Sequence, residues 1–186
     1  MKKETKEKIK KEIYEWIKSI IIALGIALIL RHFVIESYAT PTTSMEPTVK
    51  VGDRMFCNKF IYRFKEPERG DIVVFKPPPA AEAGKKLYLK RIIGLEGEKI
   101  EIKNGKVYIN GHPLSENYVK EEIYYENCKY CSMKIPKGTV YVMGDNRNNS
   151  ADSHIWGPLP KKNILGKIFV TYWPPSRMRI FGKEKY

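Results

Sequence analysis

Residues 99–110 read KIEIKNGKVYIN, and this stretch decides the fold class. Ile100, Ile102, Val107 and Ile109 alternate with Lys, Glu, Tyr and Asn on either side of Asn104-Gly105. A period of two is that of a strand, whose successive side chains point to opposite faces. Asn-Gly supplies the two positive φ angles that a type I′ turn requires, so the stretch predicts an antiparallel hairpin. Working outward, short runs rich in Val, Ile, Tyr and Phe recur at 54–60, 71–75, 87–93, 139–143 and 167–172, bounded by Gly, Pro, Asn or charge. No segment past residue 40 keeps a helical period over three turns. The expected fold is therefore mainly β, an antiparallel sheet domain folded or closed so that its edges are covered. Residues 77–84, PPPAAEAG, read as a surface loop.

Composition changes at the amino terminus. Residues 1–19 hold seven lysines and four glutamates, and the run 20–30, IIIALGIALIL, has no polar side chain. Apolar character resumes beyond Arg31-His32 with Phe33, Val34 and Ile35. As a helix, 17–35 would span about 28 Å, one hydrocarbon core. A transmembrane helix is expected over 17–36, with Lys18 and Arg31 reaching back to the interfaces and Tyr14 and Trp16 at headgroup level. Six lysines precede this span and a seventh, Lys18, stands at its start, while only Lys50 falls in the first fifteen residues after it, which orients 1–16 to the cytoplasm and 37–186 outward. The alternative is a cleaved signal peptide, since Ser37-Tyr38-Ala39 has the small-x-small form. A long, acid-containing leading segment and the Arg31-His32 pair speak against it.

The 186 residues carry a formal net charge of +13, and mean hydropathy is −0.43. The charge invites an anionic partner. No ribonucleoprotein-like interleaving of bases and aromatics is present, so lysines at an acidic bilayer surface, or simple solubility, explain it better than nucleic acid. HExxH, P-loop and GxGxxG patterns are missing, as is a second CxxC, so no metal and no cofactor are expected. Three cysteines cannot build a disulfide framework; Cys128 and Cys131 read as a tight structural disulfide or two thiols, without the βαβ context of a redox motif. His154 reads as a structural loop histidine.

Two segments remain. Residues 41–48, PTTSMEPT, form a hydroxyl-rich turn pinned by two prolines, which suits an exposed Ser44 nucleophile or an ordinary linker. In 87–94, LYLKRIIG, Lys90 follows apolar and aromatic residues, and simple alternation would send it to solvent.

With the second extended to LYLKRIIGLEGE at 87–98, and taken with RGDIVVF at 69–75 and MGDNRNNSADSHIWGPLP at 143–160, these segments form four ordered boxes behind an N-terminal anchor. The set closely resembles bacterial type I (leader) signal peptidases. The resemblance implies a membrane-anchored serine endopeptidase with a Ser/Lys dyad, acting on preprotein signal peptides and cutting after small-x-small motifs, without histidine or metal. It places Ser44 as nucleophile and Lys90 as general base. Thr42 stands at the side-chain oxyanion position beside the Ser44 N–H, and Ser150 at the base-orienting hydroxyl. Asp145, Asn149, Arg91 and Asp152 match the supporting shell. His154 departs, because the family often has arginine there to pair with Asp152. The family's second domain is reduced to an insertion at about 100–138. Two other readings are a tethered hydrolase using Ser44 with His154 and Asp145, and a noncatalytic anchored β module.

Chemically, lysine can take a serine proton only when neutral, so its pKa must fall from about 10.4 towards 7 or 8 by loss of water around it. Tyr88, Leu89 and Ile92 are the expected apolar wall.

Overall fold

The computed structural model describes residues 2–33, 35–81, 87–125 and 128–182, with side chains except at 2–6 and 29–33. Residues 82–84 of the expected surface loop lie outside this description. In chain order the elements are helix α1 (Lys2–Phe33), strands β1 (Ile35–Ala39), β2 (Arg54–Asn58), β3 (Ile72–Phe75), β4 (Tyr88–Gly94), β5 (Lys99–Lys103), β6 (Lys106–Ile109), β7 (His112–Pro113), β8 (Ser132–Lys134) and β9 (Thr139–Met143), the one-turn helix α2 (Ser153–Trp156), and strands β10 (Leu159–Pro160), β11 (Ile164–Trp173) and β12 (Arg179–Ile180).

Two antiparallel sheets result. The larger runs β1-β2-β11-β3-β4-β9-β10, with β12 added to β11, and the smaller runs β7-β6-β5-β8. The hairpin at 99–110 forms as its sequence requires: Asn104 and Gly105 take φ of 49° and 72°, and Ile102 pairs with Val107. Strand β3 is buried along its whole length. Its alternation divides the interior, Ile72 and Val74 facing Met45, Val49 and Met55 while Val73 and Phe75 face Ile92, Val142 and Trp156. A third core joins the sheets, where Ile100, Val107 and Ile109 meet Ile93, Tyr141 and Met143.

Three sequence expectations need correction. The helix expected through residue 36 stops at Phe33. Ile35 and Glu36 instead pair with Asn58 and Cys57, because a β-branched residue beside an open strand edge gains a full ladder. Ser37, Tyr38 and Ala39 continue that ladder, so cleavage after Ala39 would strip an edge strand from the sheet. The strand expected over 54–60 ends at Asn58, whose side-chain oxygen accepts the Phe60 and Ile61 amides at 2.9 and 3.0 Å and turns the chain. Among the described residues no helix is long and apolar enough to cross a membrane. The described side chains of the apolar run end at Leu28, so 17–28 gives about 18 Å at 1.5 Å per residue, and the rest of the expected span lies outside them.

Candidate active site

The loop from Thr40 to Asp53 is fastened at its neck and plugged into the core. Thr40 N–H donates to Asp53 O at 3.1 Å and Gly52 N–H to Thr40 O at 3.0 Å. Met45 and Val49 are fully buried beneath it. The Met45 plug adjoins Ser44 directly and fixes its backbone, and Ser44 is 8% exposed.

Lys90 arrives from β4, paired with Val73 of β3. It is 4% exposed rather than solvent-facing, since β4 lies inside the sheet with layers on both faces. Lys90 Nζ lies 2.6 Å from Ser44 Oγ, within reach for proton transfer. Thr42 Oγ1 is 3.3 Å from Ser44 Oγ. The three groups line a cleft of about 510 Å³, whose apolar wall includes Tyr38, Ala39, Met55, Val74 and Leu89. Ile92, expected in this wall, does not line the cleft and packs instead with Val73 and Phe75 in the core.

A third segment, following β9, closes the site. Asn146 N–H donates to Ser44 O at 3.1 Å, and Asn149 Nδ2 to Thr43 Oγ1 at 3.0 Å. The approach requires glycine at 144, where a Cβ would fall 2.4 Å from Ser44 O and 2.3 Å from Ser150 Oγ. Ser150 lines the cleft and donates its hydroxyl hydrogen to Asp152 Oδ2 at 2.6 Å, which leaves its lone pairs for an amine donor.

Asp152 is fully buried. Burial alone would raise its pKa, but the His154 ring, Ser150 Oγ and the Gly144 amide together hold it below the usual carboxylate range. His154 Nδ1 is 2.7 Å from Asp152 Oδ1, so the pairing survives the change from arginine. The Arg91 fork grips Asp145 from Nε and Nη2 at 2.8 and 2.6 Å, and Arg91 Cζ lies 3.9 Å from the Tyr118 ring centroid. The alternative Ser44–His154–Asp145 arrangement does not form. The imidazole is bonded to Asp152 and stacked on Tyr125, with centroids 3.9 Å apart, and Asp145 is committed to Arg91.

Sequence reading missed several supports. Arg147, 2% exposed, donates to Gly144 O and forms a bidentate pair with Glu116 at 2.5 and 2.8 Å. Ser153 Oγ accepts the Val142 amide at 3.0 Å. Arg147 and Ser153 lie in the 143–160 box, yet Glu116 sits 31 residues from Arg147 with no local pattern to mark it. Cys128 and Cys131 form a disulfide.

A serine hydroxyl in contact with a buried lysine amine, with a second hydroxyl at its side, is an arrangement suited to a serine hydrolase whose base is lysine rather than histidine. The particular family follows from comparison. The chain belongs to the signal peptidase, peptidase S26 family, whose model matches residues 13–173. It is 42% identical to a probable signal peptidase I-2 of Synechocystis sp., over 90% of this chain and 76% of that one. Identity is 41% with a signal peptidase I of Leptolyngbya laminosa, over 91% of this chain and 84% of the relative. It is 39% with signal peptidase I P of Bacillus subtilis subsp. natto, over 94% and 97%.

Proposed function

We propose that this chain removes N-terminal signal peptides from translocated preproteins, cutting after small-x-small motifs. The observation that carries the mechanism is the 2.6 Å contact between Ser44 Oγ and a 4% exposed Lys90 amine. Excluding water from the amine disfavours its charged form, so the neutral base can accept a proton. Lys90 takes the Ser44 proton as Oγ attacks the scissile carbonyl. The oxygen that gains charge is met by the Thr42 hydroxyl and the Ser44 amide, donors in place before the reaction. Collapse of the tetrahedral intermediate expels the new amino terminus of the mature protein, which takes its proton from Lys90. Lys90 then draws a proton from water as it attacks the acyl-serine, and returns that proton to Ser44 Oγ as the acyl–oxygen bond breaks, which restores the hydroxyl and the neutral amine. Ser150 keeps the amine on line, oriented in turn by Asp152.

Substrate follows from the cleft and from relatives named signal peptidase I along most of their length. An extended peptide laid along the sheet presents alternate side chains to the cleft wall, and small ones suit subsites floored by Ala39 and Val74.

Membrane attachment through α1 belongs to the same reading. Its described apolar side chains are exposed all round, Ile20 at 54%, Ile21 at 63%, Ile22 at 53% and Ile26 at 54%. A helix apolar on every face suits lipid rather than water. The ladder adds a position. Ile35, Asn58, Lys167, Val73 and Lys90 form one register row across five strands. The proposed base thus lies level with Ile35, the first residue of β1, about 19 Å across the sheet at ~4.8 Å per strand. A signal peptide ending at the bilayer surface would meet the site there.

The test is a purified preprotein with an Ala-x-Ala site, incubated with the full chain in detergent and read by mass spectrometry. Cleavage after the second alanine, lost in Ser44→Ala, is expected. Cleavage elsewhere, or its survival in Ser44→Ala, would refute the proposal.

A further inference from the structure

The insertion grips the catalytic segment from outside the dyad. Tyr124 N–H donates to Asn148 Oδ1 and Asn148 Nδ2 to Glu122 O, both at 2.9 Å. Tyr125 OH donates to Arg147 O at 3.2 Å. The Tyr125 ring lies flat on the His154 imidazole, with centroids 3.9 Å apart and planes 3° from parallel. On the main-chain side, Tyr130 N–H donates to His154 O at 3.2 Å, and Cys128 Sγ lies 3.9 Å from the same oxygen. Tyr130 is itself fixed between the two disulfide cysteines and accepts from Tyr141 OH at 3.0 Å.

His154 is therefore held by its ring and by its carbonyl, and both holds come from the insertion. The ring passes the constraint on: Nδ1 fixes Asp152 Oδ1, and Asp152 Oδ2 holds Ser150 Oγ at 2.6 Å and the Gly144 amide at 2.9 Å. Ser150 shares the cleft with Lys90, and Gly144 lies against Ser44 O.

We propose that Tyr125 is a positioning residue for the peptidase reaction, acting through His154 and Asp152, and that the Cys128–Cys131 disulfide is the clasp that keeps this hold closed. The proposal rests on the Ser44/Lys90 reading above. A dithiol reductant that opens the clasp breaks the S–S bond and gives two thiols, its own two sulfurs closing into a cyclic disulfide. The loosened Tyr130 turn then frees one side of His154. Misplacement of a supporting group by a fraction of an ångström is felt in turnover rather than in substrate binding, because the cleft wall itself is untouched.

Full-length enzyme in detergent, assayed on an Ala-x-Ala peptide, tests this. Tyr125→Ala should lower kcat about tenfold with KM within about twofold, and Tyr125→Phe, which keeps the stacked ring, should recover most of that loss. Treatment with dithiothreitol, with the two new thiols titrated, should lower kcat severalfold and reversibly. The Cys128→Ser/Cys131→Ser variant should start at that lower rate and ignore the reductant; Cys57 is fully buried and does not interfere. The proposal is overturned if the titrated, reduced enzyme keeps its kcat, if Tyr125→Phe falls as far as Tyr125→Ala, or if the loss appears in KM or only alongside a lost thermal unfolding transition. The dithiol arm needs no substitution, so a Tyr125→Ala chain that fails to fold leaves the test decisive. Activity persisting in Ser44→Ala would instead break the dyad reading, a separate and recognisable failure.

Discussion

At the scale of single residues, the site depends on hydroxyls whose partners are already placed. Thr42 Oγ1, 3.3 Å from Ser44 Oγ, is the side-chain donor to the developing oxyanion in the proposed mechanism. Thr42→Val keeps shape and branching but deletes the donor, so kcat should fall by about 10² to 10³, some 3 to 4 kcal/mol, with KM little changed. Thr42→Ser should keep most activity; steady-state kinetics on one peptide compares the three. Asp152 offers a test in stability. Its folded pKa lies below the ordinary value, so the stability it adds is complete above about pH 4, the unfolded carboxylate pKa, and is lost as pH falls through the folded one. Urea midpoints measured between pH 6 and pH 2 should drop in wild type, and in Asp152→Asn should start lower and drop less. Parallel curves for the two would show that Asp152 adds nothing to the acid limb.

At the scale of elements, legibility followed how local the cause was. The 99–110 hairpin was readable because Asn104-Gly105 and a strict two-residue alternation are contained in twelve neighbouring residues. Strand β1 was hidden, since its pairing partner begins fifteen residues after it ends and its own sequence follows an apolar helix without punctuation. Lys90 shows the same limit. Alternation on β4 spoke for solvent, and only the layering of the folded sheet places it inside; Ser44 and Lys90 were legible through the ordered boxes, not through local chemistry. Glu116 was invisible because its partner Arg147 is remote in sequence. Gly144 lies within the 143–160 box, but what requires a glycine there is the approach of two chain segments remote in sequence. Gly144→Ala must push Ser150 Oγ and Ser44 O apart from contacts of 2.3 and 2.4 Å. It should lower kcat at least as much as Ser150→Ala does while the far-UV spectrum stays native, and a fully active Gly144→Ala would show that the segment is not held against Ser44 as described.

At the scale of the whole molecule, the sheet connects the N-terminal helix to the proposed site. One register row runs from Ile35 to Lys90, so rotation of the sheet about the helix exit would move the site relative to a bilayer. With the proposed orientation, protease added outside sealed cells should digest the domain beyond Ser37 and spare the lysine-rich segment before Trp16; digestion of the amino terminus alone would reverse it. The central claim is that Ser44 and Lys90 act as one unit, and the most direct measurement is kcat for Ala-x-Ala peptide cleavage by wild type, Ser44→Ala, Lys90→Ala and the double variant, all in native fold. A shared dyad predicts that each single change brings turnover near background and that the double variant loses little more. Losses that multiply in the double variant, or a Lys90→Ala enzyme that keeps most of its turnover, would contradict it.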